Sequence, residues 1–154
     1  MPDPSADRPL HEHDPDAALV MLMPEIPPGR VRWLYYSGYY DGPISGRVMV
    51  DAIEVWAQQF EQCSCLRDED TDESPCGFYR RYRLIVLEPA VDAEEARRHA
   101  LFREMVGYHM EIREDGRRSH FDAATHPNWH DFYDLVKGWP EWSPTGVLVG
   151  WFQR

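Results

Sequence analysis

The chain has 154 residues, of which 43% are apolar, 13% aromatic and 28% charged, with a formal net charge of −11. That length corresponds to about one domain, and the composition excludes collagen-like, coiled-coil and wholly disordered chains. No apolar run approaches the roughly 18 residues of a membrane span, and the acidic, proline-rich start MPDPSADRP is the opposite of a signal peptide's basic start and apolar middle.

Acids outnumber bases 27 to 16, and Lys137 is the sole lysine. Nonspecific nucleic-acid binding needs Lys and Arg to displace counterions, and an anionic membrane surface attracts the same residues. Neither partner is expected. The field favours basic partners or cationic ligands, although negative charge also serves solubility alone.

Residues 1–30 hold seven of the 13 prolines and no aromatic residue, so all 6 Trp, 8 Tyr and 6 Phe fall in 31–154. This step separates an N-terminal segment, 1–30, mostly disordered or loosely docked, from a single domain, 31–154. Residues 1–16 bury too little apolar surface to offset the entropy of ordering them. Residues 17–23 (AALVMLM) are apolar but too short for an independent helix. They are expected to dock as one short turn or strand, or to be covered by a partner.

Residues 31–40 (VRWLYYSGYY) are rich in β-branched and aromatic side chains and precede the cluster Asp41-Gly42-Pro43, which predicts a strand ended by a turn. Aromatics on both parities suit a strand covered on both faces or lining a cleft. Residues 41–46 (DGPISG) read as the turn. Strands follow at 47–50 and 53–60 around a two-residue turn, Asp51-Ala52, where alanine lacks the advantage of glycine. After a polar loop, 63–76, residues 78–87 alternate as another strand.

A helix is predicted over 92–107, with Asp92 and Glu95 as a D-x-x-E capping box and Gly107 as the left-handed residue at its end. Residues 108–126 are irregular, with a turn at Asp115-Gly116. A second helix, 127–137, opens on a proline and carries Trp129, Phe132 and Val136 as an apolar stripe. Residues 146–152 (GVLVGWF) close the chain as a short buried strand. Strands in series joined by tight turns make an antiparallel meander, and two helices packed on one face of it give an α+β domain.

Four constellations could carry chemistry. His126, His130 and Asp134 step by four along the second predicted helix, a spacing that can chelate a divalent transition metal such as zinc. That string lacks the glutamate of the zinc-protease motif, and the alternative is a capping His126 with a surface pair of His130 and Asp134. Cys63, Cys65 and Cys76 are spaced C-x-C-x10-C, open to free thiols, to one disulfide at the base of the loop, or to a metal. The stretch holding Tyr36, Tyr39, Tyr40 and Asp41 combines tyrosines with small residues, as recognition surfaces do, or forms a hairpin with a tyrosine-rich core. Arg80, Arg81 and Arg83 interleave with aromatics; they could stack on bases or pair internally with the acids upstream.

No Ser-His-Asp or Cys-His order, G-x-S-x-G elbow or phosphate-binding loop is present, so the chain leans away from an enzyme. The leading expectation is a small acidic interaction protein of a bacterial cytoplasm, either immunity- or antitoxin-like or an accessory subunit, needing no cofactor. It would meet a protein partner with a basic surface through the acidic loop (Asp68, Glu69, Asp70, Asp72, Glu73) and the tyrosine surface. The alternative is a small metal-binding protein or metal-dependent enzyme using His126, His130 and Asp134.

Overall fold

The computed structural model describes residues 11–13, 16–39, 43–63, 79–107, 110–112, 118–120 and 126–154. In chain order these form β1 (His11–His13), α1 (Ala17–Val20), a 3-10 turn (Pro28–Arg30), β2 (Val31–Tyr39), β3 (Pro43–Val50), β4 (Ile53–Cys63), β5 (Arg80–Leu87), α2 (Pro89–Met105), β6 (Met110–Ile112), β7 (Arg118–His120), α3 (Trp129–Val136) and β8 (Gly146–Gln153). The turn expected at 115–116 and most of the 63–76 loop lie outside the described residues.

Strands β2, β3, β4, β5 and β8 pair in that order, each antiparallel to the next, and β1 adds to β4. With the helices this is an α+β arrangement. The β3–β4 turn falls at Asp51-Ala52, and Asp51 takes φ 54°, a left-handed conformation that aspartate tolerates better than most residues. Arg30 secures it: Nε donates to Asp51 Oδ1 at 3.1 Å, and the Asp51 N–H donates to the Arg30 carbonyl at 3.1 Å.

Residues 43–46, expected as turn, already belong to β3. Gly46 pairs with Tyr36 on one side and Ala57 on the other. A Cβ there would lie 2.1 Å from the Tyr35 carbonyl oxygen, so this glycine permits close strand approach rather than a turn.

In a flat sheet, four strand spacings would hold β2 and β8 roughly 19 Å apart. The rings of Trp33 and Phe152, one from each, have centroids 6.1 Å apart. The sheet is therefore curled. Its concave face gathers Trp33, Tyr36, Val48, Val55, Ala57, Tyr82, Leu84 and Phe152 into the main core, with Tyr82 stacked on Phe152 at 5.0 Å and edge-on to Trp33 at 5.3 Å. Residues 24–30 cross from β8 back to β2. The Ile26 N–H donates to the Trp151 carbonyl at 2.7 Å, and the Trp151 N–H donates to the Pro24 carbonyl at 3.1 Å. Residues 17–23 dock beside them as a short helical turn, with Val20 packed on Phe60 and Trp151 and the indole N–H of Trp151 donating to the Met23 carbonyl at 3.0 Å.

Helix α2 lies on the convex face and begins three residues before the expected capping box. Proline at its first position fixes φ and gives up an N–H that has no helical partner there, and the N-cap is Glu88 with no side-chain cap bond. Asp92 instead lies in the first turn and pairs with Arg47 at 2.7 Å. Asp92→Ala should thus cost about 0.5 kcal/mol, as a half-exposed ion pair does. Urea melts at low and high salt check this, since only loss of an ion pair shrinks with salt. At the other end Gly107 takes φ 114° and donates to the Phe102 carbonyl at 3.0 Å, as the left-handed terminator expected there.

Helix α3 is shorter than the 127–137 expected and layers on α2: Phe132 meets Phe102 edge-on at 5.3 Å, and Trp129 joins the same cluster with Val106 and Met105. Its apolar stripe thus packs on α2, and α2 in turn packs on the sheet. Trp129, Phe132 and Val136 are half-buried, whereas His130 and Asp134 are exposed. Trp129→Ala should cost about 1–2 kcal/mol, below the 3–5 of a fully buried aromatic. His130→Ala should stay within about 0.5 kcal/mol. Thermal melts that rank the two in the reverse order would place the helix in another rotation. Among the described residues no helix is long and apolar enough to cross a membrane.

Candidate functional site

Strand alternation sends Tyr36 and Val48 inward and their neighbours Tyr35 and Arg47 to the convex face, where α2 lowers Glu95 onto them. Glu95 is only 4% exposed. Arg47 Nη2 lies 2.6 Å from Glu95 Oε2, while its Nη1 reaches Asp92 at 2.7 Å and Glu54 at 2.9 Å. The Tyr35 hydroxyl donates to the Glu95 carboxylate at 2.7–2.8 Å and accepts from Arg47 Nε at 2.7 Å. One guanidinium therefore faces three carboxylates, and α2 is tied to β2, β3 and β4 through it. The Tyr35 ring lies flat on His99, centroids 3.5 Å apart and planes 4° from parallel.

These contacts set the ionisation of the group. Burial lowers the Arg47 pKa, but the hydrogen bond and charge of Glu95 outweigh it and hold the guanidinium above its ordinary value. Burial, then the Glu95 charge, pushes the Tyr35 phenol above its ordinary value of 10.0. Burial does the same for Tyr82, and a hydrogen bond to Glu61 does so for Tyr79. A phenol raised in the folded state keeps its full contribution to stability below the unfolded value near pH 10 and loses it as pH climbs towards the folded value. An absorbance titration should therefore show fewer phenols ionising near pH 10 in the native protein than in urea, with stability falling above that pH. Identical native and unfolded curves would contradict the half-buried placement of Tyr35 and the buried placement of Tyr82.

Most of the residues expected to act lie outside the described residues. Tyr36 is 2% exposed and lies in the core, so it is not on the surface. Tyr39 ends β2 opposite Pro43. Tyr40, Asp41, Asp68, Glu69, Asp70, Asp72, Glu73, Cys65 and Cys76 lie outside the described residues. His126 precedes α3, because the residue before a proline is driven out of helical geometry, and its Nδ1 accepts the Asn128 N–H at 3.0 Å. Asp134 pairs with Lys137 at 2.8 Å. Among the described residues no group of three or more His, Cys, Asp or Glu is placed to hold a metal ion. Arg81 pairs with Glu61 of the neighbouring strand at 3.0 Å and covers the Tyr79 ring at 4.3 Å, which is internal pairing with an acid the sequence had not singled out.

A different surface emerges at β8. Val147, paired across the ladder with Val86, is 66% exposed, and Val86 and Val149 are exposed beside it. On the outer side of β8, among the described residues, only Trp151 is paired, through its bridge to Glu25. Among the described residues none pairs with 146–149 on that edge. Next to it, a groove of about 590 Å³ runs between α1 and the start of β8, with Val20, Ile85 and Leu148 along it and Asp16, Glu88 and Arg83 as its charged residues. Leu19, 64% exposed, lines the same groove. An exposed apolar row along an open strand edge is a template for pairing with another chain. The sequence signal was there: no charged residue occurs between Glu141 and Arg154, although such a run reads equally well as a buried strand. Comparison with protein-family models, curated proteins and solved structures finds no match to this chain.

Proposed function

We propose that the chain is a protein-interaction domain that receives an extended apolar segment of a partner protein along the outer edge of β8. The observation that carries this reading is the exposed valine row Val86, Val147 and Val149 on and beside an edge that, among the described residues, is unpaired over 146–149. Added strands gain affinity from main-chain hydrogen bonds and specificity from pockets for alternate side chains. The groove beside α1 supplies such a pocket, and Asp16 and Glu88 beside it favour basic residues flanking the inserted segment. A net charge of −11 speeds encounter with a basic partner and opposes docking of a second copy of the chain. The acidic run at 68–73 would add to that steering. An immunity- or antitoxin-like neutraliser, or an accessory subunit, works in this way.

The test places a photo-crosslinking residue at position 147 or, as a control, at exposed Arg103 on α2. Position 147 should capture one protein in the producing cells and position 103 should not. Val149→Lys should abolish capture without lowering the Tm. Equal capture at both positions, or capture that survives Val149→Lys, would contradict the proposal.

A further inference from the structure

Helices α2 and α3 and the segment holding Trp142 enclose a cleft of about 220 Å³ against β2, lined in part by Phe102, Phe132, Trp142, His99, Glu95 and Arg98. We propose that this cleft binds a small organic cation, an ammonium group attached to an aromatic or bulky apolar body. The proposal does not depend on the β8 surface.

The walls provide the first reason. Phe102 and Phe132 meet edge-on at 5.3 Å, and Trp142 is held by an edge-on contact with Trp56 at 4.9 Å and by its indole N–H, which donates to the Val91 carbonyl at 3.1 Å. Aromatic faces fixed around a small space attract a cation through their quadrupoles and accept an apolar body by contact.

The polar groups provide the second. A carboxylate offers about four acceptor sites on its two oxygens. On Glu95, Oε2 takes both Arg47 contacts, and the Tyr35 hydroxyl has a single proton to divide between Oε2 and Oε1. Oε1 therefore keeps acceptor capacity beside the cleft. Behind it, among the described residues, Arg47 alone faces Glu54, Asp92 and Glu95, so this network carries an excess of negative charge. An unpaired carboxylate brought into a cleft of this kind would be repelled, whereas a cation is stabilised.

Among the described residues Arg98 is the one guanidinium in the lining, and it is already engaged. Its Nε donates to Glu94 at 2.8 Å and its Nη2 to the Pro140 carbonyl at 2.7 Å. Hydrogen bonds from Arg97 and Arg98 hold the Glu94 carboxyl down at about 2, so Glu94 stays ionised against both arginines at any physiological pH. An anionic ligand would have to compete with it.

Isothermal titration with benzyltrimethylammonium, benzyl alcohol and phenylacetate separates the chemistries. The cation should bind at least roughly tenfold more tightly than either comparator, in the range of a desolvated cation–aromatic contact. Phe132→Ala should weaken the cation by a similar factor, and Glu95→Gln should weaken the cation while leaving benzyl alcohol unchanged. Phenylacetate binding as tightly as the cation, absence of cation binding, or cation binding untouched by both variants would overturn the proposal.

Discussion

Phe152→Ala should destabilise the domain by about 3–5 kcal/mol, the range for truncating a fully buried aromatic and leaving its cavity. Phe152 is 2% exposed, stacks on Tyr82 and reaches Trp33 at 6.1 Å. Those contacts bring together strands from opposite ends of the sheet order. A flat sheet would leave the side chain of its last strand touching β5 alone, and its loss would be correspondingly smaller. Urea unfolding followed by tryptophan fluorescence measures the difference. A loss under about 1 kcal/mol would mean that Trp33 and Phe152 do not meet and that the sheet is open.

Arg47→Met should cost a similar amount, about 3–5 kcal/mol, because removing one partner of a buried pair strands the other charge. Here the stranded group is Glu95, 4% exposed, with Asp92 and Glu54 left facing it. Methionine keeps much of the arginine stem's packing, so the loss reports charge rather than volume. Adding Glu95→Leu should return most of the loss, since an apolar pair of similar size often replaces a buried ion pair without penalty. Asp92 and Glu54 are half-exposed and can turn to water. If the double variant is no better than Arg47→Met alone, the interaction with Glu95 is not what fixes α2 to the sheet.

The meander was legible because turn residues and aromatic runs mark strands locally. Its β3–β4 turn at Asp51-Ala52 could be placed from the change of pattern alone. Curling could not be read, because it depends on bulges in β2, β3, β4 and β8 and on which parity of 31–40 faces inward. With aromatics on both parities, nothing local distinguishes buried Tyr36 from Tyr35, which reaches Glu95. Helix α2 began earlier than expected because a proline at the first helical position outranks a capping box whose aspartate is drawn to an arginine distant in sequence. Arg47 carried no helical or strand signature of its partners, so the buried network was invisible. The step of four from His126 to His130 does not run along one helix for a local reason: Pro127 follows His126, and α3 begins only at Trp129. The apolar string of β8 was plain in the sequence, but whether such a strand is central or at an edge is decided by topology.

Amide hydrogen exchange over 146–149 in the free protein tests the open edge of β8 most directly. In a strand paired on one side only, alternate amides point away from the ladder. Those amides should exchange quickly while their neighbours, bonded to β5, are protected, and the fast set should become protected when the captured partner is added. Uniform slow exchange in the free protein would show that the edge is already covered, and would contradict its role as the docking site.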